Sequence, residues 1–181
     1  MNKLQTIATG AALSVVTVIS LAAPAVADTT GMTNADKCLL VITHISTIVN
    51  NLHDISNKRE AAYNDAAARA AKQLKAAQNA GYDATQLQAD YNTLTNDLEK
   101  FRTDRQTFET DMTNVQSVSQ NVCETSNGQL VDALNTARAA LVVLRADDVK
   151  IRVDIRQKLI TDIRAYITWL KGKANPGATT N

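Results

Sequence analysis

Two cysteines, Cys38 and Cys123, lie almost equally far from one sharp turn, Ala80-Gly81-Tyr82-Asp83. Cys38 is 44 residues before Tyr82 and Cys123 is 41 after it. If both arms are helices, the chain folds into a long hairpin whose open end brings the thiols together. At about 1.5 Å rise per residue, the arms differ in length by only about 4 to 5 Å. That is within reach of a disulfide after a small adjustment of register. The spacing therefore predicts a stapled helical hairpin.

The first residues place this hairpin in an oxidising compartment. Met1-Asn2-Lys3 is a short basic start, an apolar run follows from Ile7 to Ala23, and Pro24-Ala25-Val26-Ala27 has small residues at the −3 and −1 positions. This is the pattern of a secretory signal peptide cleaved after Ala27; an uncleaved anchor is the alternative. An exported chain with two cysteines most simply forms one bridge. No second long apolar run follows, so the expected mature chain is soluble, with no stable membrane anchor. It carries 18 basic and 18 acidic residues once Lys3 is removed. A neutral chain has no global electrostatic bias toward nucleic acid or anionic membrane.

Helix signals dominate the remainder. It has only five glycines, and its one proline, Pro176, lies in the tail. Thr33 with Asp36 three residues on reads as the start of helix one, which runs to about Ala80 and has a weak point at Ser56-Asn57. Gly81 supplies a left-handed stop. Asp83 with Gln86 forms a capping-box pattern for helix two, which runs to about Glu124. Thr125-Ser126-Asn127-Gly128 makes the second turn. Helix three runs from about Gln129 to Leu170, and Gly172, Asn175, Pro176 and Gly177 end it.

The apolar pattern gives each helix a buried seam. In helix two, Leu87, Tyr91, Leu94, Leu98, Phe101, Arg105, Phe108, Met112, Val115, Ser119 and Val122 alternate steps of four and three, a heptad seam. Helix three repeats it with Leu130, Leu134, Ala137, Leu141, Leu144, Asp148, Ile151 and Ile155, then broadens to Leu159, Ile163, Tyr166 and Leu170. Helix one shows Ile45, Ile48, Leu52, Ile55 and Arg59, then becomes dense in alanine. Small residues there oppose the bulky Tyr166, Ile167, Trp169 and Leu170. The expected fold is an all-α, elongated, antiparallel up-down-up three-helix bundle with coiled-coil-like packing and one disulfide. Residues 1–27 form the signal peptide, 28–172 the bundle (helices about 34–80, 84–124 and 129–170) and 173–181 a flexible tail.

Where polar residues interrupt the seams, a functional reading competes with a structural one. Arg59 lies 23 residues before Tyr82 and Arg105 lies 23 after it. The second turn brings Asp148 to the same level, with Glu60 and Asp147 nearby. Such a layer fixes register and partner choice among helices; the sharper reading is a site for a small anion. Arg138, Arg145 and Arg152 recur every seven residues on helix three, with Lys150 and Arg156 beside them. They form either a basic stripe for an acidic partner or a solvated flank bridging to Asp54, Glu60 or Asp65. Tyr82, Tyr91, Tyr166 and Trp169 should gather at the Gly81 end, as a plug or a recognition patch. Val149, Val153, Ile160, Ile163 and Ile167 make a second apolar stripe that one small core would not bury. Tyr82, Tyr166, Trp169, Ile160 and Ile167 are thus the candidate interaction surface.

Catalytic chemistry has little support. His44 and His53 are not at metal-ligand spacing, the cysteines do not form a redox pair in sequence, and no nucleophile elbow, phosphate loop or zinc-protease motif occurs. No catalytic residue, metal or cofactor is expected. The reading that follows is an exported, secreted or periplasmic, non-enzymatic structural or protein-interaction module. Its partner would be another protein or a second copy. An extracytoplasmic chaperone that holds unfolded clients is the alternative.

Overall fold

The structure is a computed structural model, described for residues 33–121 and 127–174. The chain divides into two units, Met1–Thr30 and Gly31–Asn181. The first, which contains the whole of the expected signal peptide, lies outside the described residues, as does the expected tail beyond residue 174.

Every described element is helical. Helix α1 spans Asn34–Asn79 and begins with the predicted cap: the Thr33 hydroxyl accepts from the Asp36 amide, and the Asp36 carboxylate accepts from the Thr33 amide. Forty-six residues make it about 69 Å long. It does not break at Ser56-Asn57. Ser56 is buried, and its hydroxyl donates to the His53 carbonyl oxygen at 2.9 Å and to Glu109 at 3.3 Å, so its polar group is satisfied without interrupting the helix.

The first turn follows from one glycine. Gly81 has φ 73°, the Tyr82 amide donates to the Ala77 carbonyl and the Gly81 amide to the Gln78 carbonyl. This is a Schellman stop. A Cβ at Gly81 would meet nothing within 4 Å, so the demand for glycine is conformational rather than steric. Helix α2, Thr85–Gln120, starts differently from the expected capping box. Asp83 accepts from the amide and hydroxyl of Thr85, Ala84 takes the cap position, and Gln86 plays no capping part. The nearer Thr85 forms a tight Asx-type turn with the carboxylate.

Helix α3 spans Asn127–Val153, a six-residue π segment covers Asp154–Leu159, and α4 spans Ile160–Ala174. Three expectations are corrected here. Asn127 and Gly128 belong to the helix rather than to the turn. Gly172 is passed rather than acting as a stop, since it takes no left-handed φ. The expected single third helix carries a π distortion at Asp154–Leu159.

The three long elements form a helical bundle with α2 in the middle. Its backbone packs closely against α1 on one side and α3 on the other, while α1 and α3 approach each other less closely. The α2 seam is buried at Leu87, Leu94, Leu98, Phe101, Phe108, Met112 and Val115, with Ser119 fully enclosed. Ala137, Leu141, Leu144, Ile151 and Leu159 face it from the third arm. On α1 the seam departs from the predicted line. Leu52 is buried, but Ile45, Ile48 and Ile55 are half-buried, and the core continues through Ser56, Tyr63, Ala67, Ala70, Leu74 and Ala77. The Tyr63 ring meets Phe101 edge-on at 5.6 Å. The buried line on α1 thus runs through Ser56 instead of Ile55, and the first turns of α1 overhang: with Ser56 opposite Glu109 and Gln78 opposite Gln88, Gln120 is level with about Ile45. Leu39 and Leu40, beyond that level, are exposed.

Candidate functional site

Interruptions of the two seams beside α2 carry most of the buried polarity. Asp148, 4 % exposed, is the centre of one cluster. Its Oδ1 accepts from the Tyr63 hydroxyl and lies 3.4 Å from Arg59 Nη1; its Oδ2 lies 2.7 Å from Arg152 Nη2. Burial, first, and the hydrogen bond to Asp148 push the Tyr63 phenol well above its ordinary value. Arg59 and Asp148 are therefore brought together, but Arg105 is not part of this pair. It bonds Asn57 at 2.9 Å, Glu60 at 2.5 Å and Glu109 at 3.3 Å, along the α1–α2 groove. Arg105 is directed into the groove between α1 and α2, and its carboxylate partners there take it away from Asp148. Glu60 also takes Arg102, and Asp147 takes Lys100 at 2.8 and 2.9 Å. Every arginine here already has a carboxylate, which leaves no uncompensated positive charge for an anion.

The α2–α3 seam holds a second arrangement that the apolar pattern concealed. Asp90, Asp97 and Asp104 recur every seven residues on α2. Asp147 and Asp154 are seven apart on the third arm, and Asp162 follows after eight. The π segment lies in that longer interval and absorbs the extra residue, so all three acids stay on one face. They meet as pairs: Asp104 with Asp147, Asp97 with Asp154, and Asp90 with Asp162. Lysines clamp two of the pairs. Lys100 bonds Asp104 and Asp147, Lys150 bonds Asp97 at 2.5 Å, and Lys158 bonds Asp154 at 2.5 Å.

The electrostatics follow from these neighbours. Lys100 holds the Asp104 carboxyl below its ordinary value, while burial pushes Asp147 up. Burial also pushes against ionisation of Asp154, but Lys158, Asp97 and Lys150 outweigh it and its value is lowered. Asp162 is pushed up to about 6, by burial first and then by Asp90. Single oxygens of Asp97, Asp154 and Asp162 are enclosed without a donor. A carboxylate facing a carboxylate satisfies both only when a proton lies between them. The sequence signal that could have found this ladder is the seven-residue recurrence of aspartate on α2.

At the Gly81 end, Tyr82 packs on Tyr166 at 5.4 Å and on Trp169 at 5.3 Å, and Tyr166 and Trp169 are 6.3 Å apart. Tyr91 is half-buried further along α2, and Lys173 lies 4.3 Å over the Trp169 ring. Tyr166 is buried, whereas Tyr82, Trp169, Ile160, Ile163 and Ile167 are half-buried. Of the second stripe, Val149 and Val153 are exposed, and Val131, Val142 and Val143 extend it toward the start of α3.

Two members of the basic flank turn elsewhere than to Asp54, Glu60 or Asp65: Arg152 bonds Asp148 and Lys150 bonds Asp97, while Asp65 bonds Arg69. Arg138, Arg145 and Arg156 are exposed on α3 and the π segment. His53 lies 3.3 Å from Glu109, and His44 is exposed. Cys38 is half-buried in α1, and Cys123 lies outside the described residues. Among the described residues no group of three or more metal-ligating side chains forms, and no helix is long and apolar enough to cross a membrane. No protein-family model matches the chain, and neither does any curated protein or solved structure.

Proposed function

We propose that the chain is an exported, non-enzymatic helical module that acts by binding a protein partner or a second copy of itself. The observation that carries this reading is the exposed apolar surface along α3. Val142 is 66 % exposed and Val149 52 % exposed, about three turns and one turn from the end of a helix whose opposite face is packed. Valines on a solvated face contribute nothing to this bundle's own core, and contiguous exposed apolar surface marks interaction sites. The paired arginines and lysines support a structural rather than a catalytic use of the buried charge.

Export through a signal peptide cleaved after Ala27 and a Cys38–Cys123 bridge belong to the same reading. The described cysteine is not a free thiol. The register of α1 on α2 sets Cys38 just beyond the level of Gln120, at the end from which the chain continues toward Cys123. A bridge there would tie α1 to α2 in antiparallel register, as an up-down-up bundle needs.

The test is the mass of the purified mature chain in solution, with Val142→Lys/Val149→Lys as the variant. Both positions are exposed, so helix content should be unchanged. Self-association in the parent that is lost in the variant identifies the partner as a second copy. If the parent is a monomer, capture of a defined envelope protein by the parent and not by the variant supports the other branch. A monomer that captures nothing defined, yet suppresses aggregation of a denatured client, would replace this reading with the chaperone one.

A further inference from the structure

We propose that Asp90 and Asp162 form a proton-operated latch. Sharing one proton, they hold α4 against α2; when both ionise, α4 loosens about the π segment and the aromatic end opens. The inference does not depend on the partner-binding reading above.

Three observations lead to it. First, the Asp90–Asp162 rung differs from the other two. Lys100 clamps Asp104 and Asp147, and Lys150 and Lys158 clamp Asp97 and Asp154, but the charge acting on Asp162 comes from Asp90. Lys158, one turn before Asp162, spends its bond on Asp154 and feels Asp90 only at longer range. From α1, which also packs against α4, no basic residue comes from the last turn, and Lys72 and Lys75 are exposed. At the far end of α4, Lys173 sits over Trp169. Second, Asp162 Oδ2 is enclosed and has no donor. A buried acceptor facing another acid is satisfied by a proton and destabilised without one. Third, the rung is placed where movement has a hinge and a consequence. The π segment ends at Leu159, three residues before Asp162. Tyr166 and Trp169 follow Asp162 by four and seven residues, on its face of α4, and both pack on Tyr82.

The raised pKa of Asp162, a consequence of its burial against Asp90, sets the range in which the latch works. Below about pH 6 Asp162 keeps its proton; above it, two carboxylates face each other, and no cation is among the groups acting on Asp162. Trp169 is the chain's single tryptophan and reports the packing of this end directly. The experiment follows Trp169 emission of the full chain from pH 4.5 to 8, with helix content measured in parallel. The expected result is a red shift as pH rises, centred near pH 6, with helix content nearly constant. Asp162→Asn supplies a permanent donor to Asp90 and should hold the emission at its acidic value throughout; Asp90→Asn should do the same from the other side. Hydrogen exchange, corrected for its intrinsic pH dependence, should show faster opening of α4 at pH 7.5 than at pH 5, with α1 unchanged. A parent whose emission is flat across the range overturns the latch. So does an Asp162→Asn variant that is helical and still titrates with the same midpoint, because the titrating group would then lie elsewhere.

Discussion

Asp148 concentrates the most consequence in one side chain. It is buried, it accepts from Tyr63, and it balances Arg59 and Arg152. The two arginines are about one-third exposed and can turn to water, but the enclosed Tyr63 hydroxyl cannot. Replacing Asp148 with Leu should therefore destabilise the bundle by about 1–3 kcal/mol, mostly through that orphaned hydroxyl. Thermal denaturation checks this, and Asp148→Leu/Tyr63→Phe should recover part of the loss. Asp162 ties stability to pH. Its folded value lies above that of an unfolded aspartate, so its stabilising contribution is complete below about pH 4 and is lost as pH rises through about 6. Asp104 and Asp154 are lowered, and their contributions are lost on acidification. Together they predict a melting temperature that peaks in mildly acidic buffer, with Asp162→Asn shifting the peak toward neutrality.

The π segment is a matter of register along a helix. Eight residues advance an α-helix by well over two turns and would carry Asp162 round from the face shared by Asp147 and Asp154. One extra residue accommodated as a π turn cancels that rotation. Deleting the exposed Gln157 should therefore convert Asp154–Leu159 to ordinary α-helix while leaving Asp162, Tyr166 and Trp169 on their present face. Circular dichroism and melting should show a chain as helical and at least as stable as the parent. Deleting the exposed Ala146, within regular α3, should instead rotate everything beyond it by about 100° and unfold the arm. The kink expected at Ser56-Asn57 failed on the same scale, because a serine hydroxyl can bond back within its own helix whereas an extra residue in a register cannot be hidden.

For the whole molecule the central position of α2 is decisive. It forces α1 and α3 to communicate through long side chains, Arg59 and Tyr63 toward Asp148, and through the aromatic contacts of Tyr82 with α4. The N-terminal turns of α1 overhang this arrangement, so the proposed bridge from Cys38 has much to do. Closing 85 residues is worth about 4–5 kcal/mol at most in the chain-entropy account. Reduction of the purified chain should lower its melting temperature by several degrees, and Cys38→Ser should reproduce the shift without reductant. The same treatment should leave the environment of Trp169, at the opposite end, unchanged below the melting transition.

Helix content, the Thr33 cap, the Gly81 stop and the α2 seam were legible in the residues alone, because capping, left-handed φ and apolar periodicity are local properties of consecutive positions. The level shared by Arg59, Arg105 and Asp148 was legible too, since helical rise is a fixed ruler. The direction in which each arginine points was not. That depends on which helix lies between the other two, and three similar seams do not specify it. Nor did the sequence show that its aspartates meet in pairs across α2 and the third arm. A charged residue every seventh position reads as a solvated flank until a second helix buries it. Only the tertiary packing turned those acids inward, left one pair without a lysine, and put a π turn where the register needed one more residue.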